Sequence, residues 1–485
     1  MEEKPLNELL ANRRKKMDTI RDAGNAPFGQ AFAVDGDVAQ VRSRFAEGAP
    51  VRIAGRLTAH RDMGKSQFLD LSDFSGRMQV FLHAKEIGED AWQVVKNIDL
   101  GDWLGVEGEY FTTKTGEPSV RAKTLTFLSK ALHPLPEKWH GVHDSETKHR
   151  QRYLDLVANE RSREVFRKRI AMVREMRRFL EERGYIEVET PMMQPVAGGA
   201  AAQPFKTHHN ALGIDLFLRI APELYLKRLL VGGMTKVFEL NRNFRNEGLS
   251  RRHNPEFTML EAYCAFADFS QMADLVEEMI CHLSETLNGS LQVEHRDAEG
   301  NVTRTINLAR PWRRAAYRDL VEAAVPGWFA LDEAGRRARA LELGLDISAC
   351  TADFEVTQHV FEKLVEEKTF DPLFVTHCPV ELVPLAKQNA ADPSLVDVYE
   401  LVINGQEISP GYSELNDPDV QRSRLEEQSG GEHQKIDTDF LRSLDFGMPP
   451  AGGIGIGIDR LAMMLTGAES IRDVILFPQM RPHAS

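Results

Sequence analysis

Cysteine is scarce in this sequence of 485 residues, and no two cysteines are closely spaced. The four cysteines are Cys264, Cys281, Cys350 and Cys378, and no C-x-x-C pair is present. Disulfide scaffolds and structural zinc sites depend on such spacings, so this pattern excludes both. Widely scattered thiols are typical of a reducing compartment, and we expect a cytoplasmic location.

Long apolar runs are missing as well. No apolar stretch approaches the roughly 18 residues that a membrane-spanning helix needs. The first residues, MEEKPLNELL, are charged and lack the apolar segment of a secretion signal. The sequence therefore predicts a protein without a membrane partner.

Positive charge is in deficit, because the formal net charge is -13 at pH 7. A generally basic nucleic-acid-binding protein would have the opposite sign. Only local basic segments remain for contacts with RNA, at residues 13–16 and 161–178. For each of these segments a solvated helix face is the more common explanation.

A dinucleotide-binding fingerprint is also missing, although one segment is rich in glycine. In MPPAGGIGIGIDRLAMML the glycines do not have the spacing G-x-G-x-x-G, and no phosphate-binding turn follows. Gly453, Gly455 and Gly457 leave one strand face without side chains, while the intervening isoleucines point to the core. A ligand, or simply another backbone, could approach that bare face closely.

The first third of the chain predicts a small barrel. A helix over residues 6–23 precedes five or so short strands and one helix between residues 51 and 128, the outline of an OB-fold. Alternation places Leu69 and Leu71 on one face and Phe68 on the other, with Arg61 and Gln79 beside it. Unpaired bases could stack on such an aromatic ring. The alternative is an aromatic side chain packed under a loop.

Residues 238–266 predict two strands joined by a basic loop. Phe257, Glu261 and Tyr263 share a face of the second strand, and we expect Arg245 and Glu247 to share a face of the first. A guanidinium suits a phosphate, an aromatic ring suits a purine and a carboxylate suits an ammonium group. The pattern thus describes ATP beside an amine, unless the charges belong to an ordinary surface hairpin.

Acidic residues recur in two further places. In residues 398–414, the Asn404-Gly405 turn makes Val402 face Glu407, so Glu400 and Glu407 become diagonal neighbours. They form either a Mg²⁺ site or a repelling surface pair.

A second acidic group could bind an amine. Glu223, Glu261 and Glu414 are candidates for binding an ammonium side chain, and Tyr263 and Tyr412 could pack against its methylene stem. Each glutamate taken alone could equally be a salt-bridge partner.

These strings resemble a known family. F-R-N-E at 244–247 and R-H-N-P-E-F at 252–257 look like motif 2 of the class II aminoacyl-tRNA synthetases, most specifically of the lysyl branch. The likeness extends from about residue 50 to Pro482. Apolar residues at helical spacing predict a helix over 161–183, and YIEVETP at 185–191 predicts a short strand; together they look like motif 1, at about 161–191. Motif 2 lies at about 238–263 and motif 3 at about 449–465.

The resemblance implies an α+β fold in several parts. A helical extension (1–45) precedes an anticodon-binding OB-fold β-barrel (46–130), a linker (131–145) and a catalytic domain (146–485) whose mainly antiparallel sheet is flanked by helices. Residues near 283–350 read as an inserted helical portion. Motif 1 implies a homodimer.

The resemblance also implies an activity and the residues that perform it. The activity is ATP-dependent attachment of L-lysine to tRNA(Lys) through lysyl-adenylate, with release of AMP and pyrophosphate and with Mg²⁺ as cofactor. The family's residues match the following positions: catalytic arginines Arg245 and Arg460; ATP-binding Arg245, Glu247, Arg252, His253, Phe257, Glu400 and Arg460; lysine-binding Gly199, Glu223, Arg245, Glu261, Tyr263, Tyr412 and Glu414; metal-binding Glu400 and Glu407; and anticodon-binding Arg61, Phe68 and Gln79.

One position departs from the family pattern. Where the lysyl branch usually has glycine, asparagine and glycine or alanine, this chain has Ser409-Pro410-Gly411. Proline has neither a side-chain amide nor a backbone N–H to donate. The contact that the asparagine makes to the amino acid must therefore be lost or replaced.

Three rival functions are weaker. A synthetase for aspartate or asparagine would need a cation where this chain has three acids. The paralogues that attach a lysine-like amino acid to a protein lack the N-terminal barrel. An RNA-binding relic would have lost phosphate- or metal-binding residues, whereas Arg245, Arg460, Glu400 and Glu407 are all present.

Overall fold

The computed structural model describes residues 6–135, 144–200, 202–297, 299–429 and 436–482. The chain divides into two units, Met1–Arg163 and Glu164–Ser485. Most of the expected linker, residues 136–143, lies outside the described residues. None of the described helices combines the length and the apolar character that a membrane span requires.

The elements of the first unit are, in chain order, α1 Leu6–Asp22, α2 Val38–Ser43, β1 Pro50–Met63, β2 Ser66–Ser72, β3 Arg77–His83, α3 Ala84–Ile87, α4 Glu89–Val95, β4 Trp103–Thr112, β5 Pro118–Ser129, α5 Ser145–Arg150 and α6 Arg152–Ala158. Helix α7, Glu160–Glu181, continues into the second unit. The helices expected at 6–23 and 161–183 are thus confirmed to within two residues.

The second unit contains β6 Ile186–Glu187, β7 Met193–Gln194, β8 Lys206–His209, β9 Ile214–Leu218, α8 Glu223–Val231, β10 Lys236–Phe244, β11 Glu256–Ala265, α9 Phe269–Asn288, β12 Gln292–Arg296, β13 Val302–Asn307, β14 Arg313–Ala316, α10 Tyr317–Ala324, α11 Glu333–Glu342, α12 Asp353–Leu364, β15 Leu373–Thr376, β16 Val398–Ile403, β17 Gln406–Ser413, α13 Pro418–Ser429, α14 Thr438–Leu444, β18 Ala451–Gly457, α15 Ile458–Thr466 and α16 Ile471–Val474. Short 3₁₀ turns lie at Trp328–Ala330 and Glu366–Lys368.

The five strands of the first unit close into a barrel in the order β1-β2-β3-β5-β4, and only β3 and β5 pair in parallel. The predicted alternation is confirmed, because Leu69, Leu71, Val80 and Leu82 are fully buried in the barrel core. Closure removes the exposed strand edges that an open sheet of this size would carry. This is the OB-fold that the strand pattern predicted.

The basic segment 13–16 is largely structural. Arg13 lies in α1, is 8% exposed and donates hydrogen bonds to the carbonyl oxygens of Leu100 and Ala131. Lys16 forms an ion pair with Asp99 at 2.6 Å. These contacts fasten α1 to the barrel, so two of the four cations are not available to RNA.

The second unit is built on one eight-stranded sheet of order β14-β15-β16-β17-β18-β11-β10-β6. Every pairing is antiparallel except the outermost ones, β14 with β15 and β10 with β6. Helices α7, α9 and α15 cover one face, and their apolar side chains form a common core with Phe238, Leu260, Ile454 and Ile456. The α+β fold with a mainly antiparallel sheet is therefore confirmed.

Two details differ from the sequence-based expectations. The portion near 283–350 is not purely helical, since it contains the hairpin β12–β13 and strand β14. Its strands are short and mostly exposed, so they lack the apolar alternation that identifies a strand. The strand expected at 185–191 is reduced to Ile186–Glu187, because only these residues pair with β10.

We expect Lys130→Met to destabilise the barrel by about 3 kcal/mol, the usual effect of removing one partner of a buried ion pair. Lys130 is fully buried, and its Nζ lies 2.7 Å from Asp99 and 2.8 Å from Asp102. Removing the ammonium leaves buried carboxylates without their cation. Hydrogen exchange of the full chain should accelerate in β4 and β5 peptides, and unchanged protection there would contradict the expectation.

Candidate active site

The face of the sheet opposite the α7–α9–α15 core carries the polar residues singled out above. On β11, Leu260 and Ala262 point into that core, so Glu261 and Tyr263 point to the other side. In the register of β11 and β18, Glu261 pairs with Gly455 and Tyr263 with Gly453. The bare glycine face of β18 therefore lies beside the acidic side chains of β11.

One cavity, of about 200 Å³, collects most of the predicted ATP-binding residues. Its lining includes Arg245, Glu247, Arg252, His253, Phe257 and Arg460, together with Glu407. The guanidinium of Arg245 lies 5.2 Å from the centre of the Phe257 ring. Glu400 is the one predicted ATP-binding residue that does not line this cavity.

The sequence had suggested that Arg245 and Glu247 belong to the first strand of the pair. They do not. Strand β10 ends at Phe244, and the amide of Arg245 donates to the carbonyl oxygen of Pro255 at 2.8 Å. The Nε of Arg245 is buried and has no hydrogen-bond partner among the described residues. A buried guanidinium donor of this kind is available to an anionic ligand.

The cations around the cavity are held by contacts between segments that are distant in sequence. Arg460 donates to the carbonyl oxygen of Glu407 at 3.0 Å and lies 3.0 Å from His253 Nε2. Arg252 donates to the carbonyl oxygen of Gly405 at 3.0 Å. Burial, aided by the charge of Arg460, lowers the pKa of His253, so the imidazole is neutral at pH 7.

The predicted lysine-binding residues form a second, more deeply buried group. Glu223, Glu261, Tyr263 and Glu414 are each at most 5% exposed. The Tyr412 hydroxyl donates to Glu223 at 2.7 Å, and the Tyr263 hydroxyl donates to Glu261 at 3.0 Å. The ammonium group of Lys227 joins Glu223 to Glu414, and the charge of Glu223 acts on Glu261, so the three carboxyl groups lie close together.

Two glycines make room for these acids. A Cβ on Gly453 would lie 1.9 Å from Glu414 Oε1 and 2.7 Å from the Tyr263 ring. A Cβ on Gly199, whose φ is +87°, would lie 3.2 Å from the Cβ of Glu223. Both positions therefore require glycine, because a larger residue would displace the acids or strain the backbone.

Burial changes the titration of this group. Burial, together with the charge of Glu223, raises the pKa of Glu261 to about 8, although Arg219 and Arg245 act in the opposite direction. Burial also raises the pKa of Glu414, against the opposing effect of the Lys227 ammonium. Arg245 lines the cavity and its charge also acts on Glu261, so it influences both groups of residues.

Glu400 and Glu407 lie close together, but the pairing of β16 with β17 differs from the register expected from the sequence. Val402 does pair with Glu407, yet a β-bulge follows, so Leu401 pairs with Ser409 and Glu400 pairs with Pro410. Burial and the charges of Glu407 and Glu366 raise the pKa of Glu400 to about 8. In the described part of the chain, no group of three or more His, Cys, Asp or Glu side chains is placed to hold a metal ion by itself.

Pro410, the departure from the family pattern, lies in the cavity wall, about 3.8 Å from where a Cβ of Gly455 would be. It offers an apolar surface there and no hydrogen-bond donor.

The barrel brings its three candidate residues to one outer face. Arg61 pairs with Phe68 across β1 and β2, and its guanidinium lies 5.6 Å from the ring centre. Phe68 packs against Phe81 at 5.0 Å, and Gln79 accepts a hydrogen bond from Ser119 at 3.0 Å. Phe68 therefore belongs to a partly exposed aromatic group and is not buried under a loop.

Sequence reasoning missed two residues. Lys227 is fully buried and contacts both Glu223 and Glu414; its spacing of four residues from Glu223 in a helix could have indicated the first contact. Glu366 accepts a hydrogen bond from the amide of Glu407 at 3.1 Å. Nothing in the sequence pattern places Glu366 beside β17.

Comparison with known proteins agrees with this arrangement. Residues 144–481 match the family described as tRNA synthetases class II (D, K and N), and residues 51–128 match the OB-fold nucleic acid binding domain. A lysine–tRNA ligase of Syntrophomonas wolfei is 47% identical, with all of both chains covered. The corresponding ligase of Pelotomaculum thermopropionicum is 46% identical over 99% of this chain and 96% of its own, and one of Coxiella burnetii is 45% identical over 98% of each.

The resemblance seen in the motifs is thus confirmed by matches that extend well beyond them. Because the family match covers residues 144–481 and the similarity to these ligases spans the whole chain, the chain belongs to the class II tRNA synthetases of the D, K and N group.

Proposed function

We propose that this protein activates L-lysine with ATP and transfers it to tRNA(Lys). The observation that carries the proposal is the buried acidic group of Glu223, Glu261 and Glu414, which lies next to a cavity lined by arginines. Buried carboxylates without enough cations of their own favour a cationic ligand. The arginines favour phosphates. Lysine and ATP are the matching pair.

In the first step, a carboxylate oxygen of lysine attacks the α-phosphorus of ATP, and the bond to the β-phosphate breaks. In this proposal Arg245 binds both the attacking carboxylate and the α-phosphate, which is supported by its position in the cavity wall and by its charge acting on Glu261. Phe257 offers a face for adenine, and Arg460 a charge for the terminal phosphate. A reaction of this kind needs orientation and charge neutralisation more than a protein nucleophile.

Glu247, Arg252 and His253 complete the nucleotide site in this proposal. His253 is neutral at pH 7, so it can accept a hydrogen bond from Arg460 without adding charge. In the second step, a terminal ribose hydroxyl of the tRNA attacks the activated carbonyl carbon and AMP leaves. We assign no protein base to this step.

Glu400 and Glu407 are proposed to hold Mg²⁺. Burial and the charge of Glu407 raise the pKa of Glu400 to about 8, so a hard cation would relieve a repulsion between the two carboxylates. One or two carboxylates suffice, because Mg²⁺ takes its other ligands from substrate phosphates and water. When bound, the ion neutralises charge on the ATP phosphates. Glu366, which holds the amide of Glu407, would support this position.

The outer face of the barrel is proposed to read the anticodon of tRNA(Lys). Arg61, Phe68 and Gln79 offer a cation, a stacking surface and an amide on one side of the sheet. Bases stack on aromatic rings and present their edges to such polar groups.

The proposed domains are 46–130 for anticodon binding and 146–485 for catalysis. The four cysteines are free, consistent with a cytoplasmic location.

A homodimer is proposed from a groove along α7 that combines apolar side chains with arginines. The groove encloses about 720 Å³. Its apolar lining is Phe166, Ile170, Val173, Ile475, Leu476 and Phe477, and its arginines are Arg169, Arg174, Arg177 and Arg242. Ile170 is 57% exposed and Phe477 is 73% exposed. Exposed apolar side chains such as these two mark protein interfaces, and a second copy of the chain is the partner that the family implies.

Glu414→Gln should reduce lysine-dependent ATP–pyrophosphate exchange by at least about 100-fold, since losing a buried charge partner weakens binding strongly. ATP affinity, measured by equilibrium dialysis, should remain unchanged. Glu285→Gln provides the control, because Glu285 is an exposed glutamate in α9 of the same unit. Retained exchange in the Glu414 variant would refute its role in the pocket.

Lysine should bind more tightly as the pH rises from about 6 to about 8, because its ammonium group needs ionised acids. The pKa of Glu261 is raised from 4.5 to about 8, so below that pH lysine binding must release a proton. Calorimetric titrations in buffers of different ionisation enthalpy count the protons released. Binding with no proton release at pH 7 would contradict the expectation.

Ile170→Asp should convert the dimer to a monomer, because it replaces an exposed apolar side chain of the proposed interface with a charge that must be desolvated on association. Light scattering after size exclusion measures the mass directly. Leu341→Asp is the matched control, since Leu341 is 61% exposed on α11 and is not among the residues of the groove. If wild-type protein were already monomeric, the proposed dimer would be wrong.

A further inference from the structure

Two of the three pocket acids already contact an ammonium group that belongs to the chain. The Nζ of Lys227 lies 2.7 Å from Glu223 Oε1 and 2.5 Å from Glu414 Oε2. Its side chain is fully buried, and its Nζ lies 5.6 Å from the centre of the Tyr412 ring. Lys227 is thus surrounded by the same groups that are proposed to receive the side chain of free lysine.

The contact leaves part of Glu414 available. Glu414 Oε2 faces Lys227, whereas its Oε1 is buried and has no hydrogen-bond partner in the described part of the chain. That free oxygen points toward Gly453, on the bare glycine face of β18. Burying a carboxylate oxygen without a partner is costly, so the position indicates a ligand.

The charges in the pocket match free lysine only if Lys227 is included. Glu223, Glu261 and Glu414 bring three negative charges when ionised, and Lys227 removes one. The two that remain equal the two ammonium groups of lysine, while its carboxylate is left to Arg245. Arg219 does not change this balance, because it is engaged with Glu239 at 2.7 Å.

We propose that Lys227 is a positioning residue for lysine recognition, which holds Glu223 and Glu414 in place and sets the pocket charge to that of a dicationic substrate. This inference rests on the proposed function, since it assigns Lys227 to the same pocket. Without the internal ammonium, one acid would take up a proton and both would lose a fixed orientation.

The test is ATP–pyrophosphate exchange by Lys227→Met, which keeps an apolar stem and removes the charge. KM for lysine should rise on the order of 100-fold, the usual result of breaking a buried charge pair at a binding site. KM for ATP should change by less than about threefold, because the variant leaves the arginine-lined cavity intact.

The matched control is Lys130→Met, in which the chain loses a lysine that is equally buried between two carboxylates, Asp99 and Asp102. This variant should lose stability in the barrel, yet its KM for lysine should stay within about twofold of wild type, since Lys130 is far from the pocket in sequence and lies in the other unit. A general effect of removing a buried lysine would instead raise KM in both variants.

Chemical rescue distinguishes an effect of the Lys227 ammonium group from an effect of the volume of its side chain. Lys227→Ala lacks three carbons and the ammonium, which n-propylammonium can supply. Added n-propylammonium should restore the lysine KM of this variant at least in part, whereas n-propanol should not, and wild type should gain nothing from either.

Each outcome decides the question. An unchanged lysine KM in Lys227→Met, or rescue by n-propanol as well as n-propylammonium, would overturn the proposal. Loss of ATP binding in both Lys227 variants, without rescue, would make Lys227 a purely structural residue and would also overturn it. Failure of the proposed function is distinct, because wild type itself would then show no lysine-dependent exchange.

Discussion

The alternation of side chains across the eight-stranded sheet is the constraint on which the site depends. Leu260 and Ala262 of β11 pack into the core under α7, α9 and α15, so Glu261 and Tyr263 must face the other way. The register of β11 with β18 then sets them against Gly455 and Gly453. A shift of one residue in either strand would exchange core and site, which the apolar face forbids.

Several acids are buried on one face of the sheet, and cations of the same chain neutralise part of their charge. Arg219 is paired with Glu239, and Lys227 with Glu223 and Glu414. Buried ion pairs of this kind contribute little net stability, because desolvation offsets the attraction. Their effect is to keep charge at defined places, which suits a protein that must recognise a small cationic molecule.

The nucleotide cavity is organised by contacts of a different kind. The loop after β10, the turn between β16 and β17 and the start of α15 are joined by hydrogen bonds from Arg252 and Arg460 to backbone carbonyls. Asp459 adds a buried link, since it accepts the amide of Thr258 at 2.9 Å and pairs with Arg169 on α7. Loops anchored on rigid elements can hold charged groups in place for a ligand.

Much of the architecture followed from the sequence alone. The alternation of Leu69 and Leu71, the helical spacing of α7 and the glycine–isoleucine alternation of β18 are local patterns, and local sterics and burial determine them. The motif strings predicted the family. Where local pattern was weak, prediction failed: the short exposed strands near 283–350 have no apolar alternation, and Arg245 lies just beyond the end of β10.

What only the tertiary structure decided is which charged groups meet. The sequence supplied Glu223, Glu261 and Glu414 as separate acids, but their approach to one another depends on α8 packing beside strands that come from distant parts of the chain. The bulge that pairs Glu400 with Pro410, the contact of Glu366 with the amide of Glu407 and the bridge that Lys227 makes between two acids are equally non-local. Such contacts depend on three-dimensional packing and register, and spacing along the chain does not encode them directly.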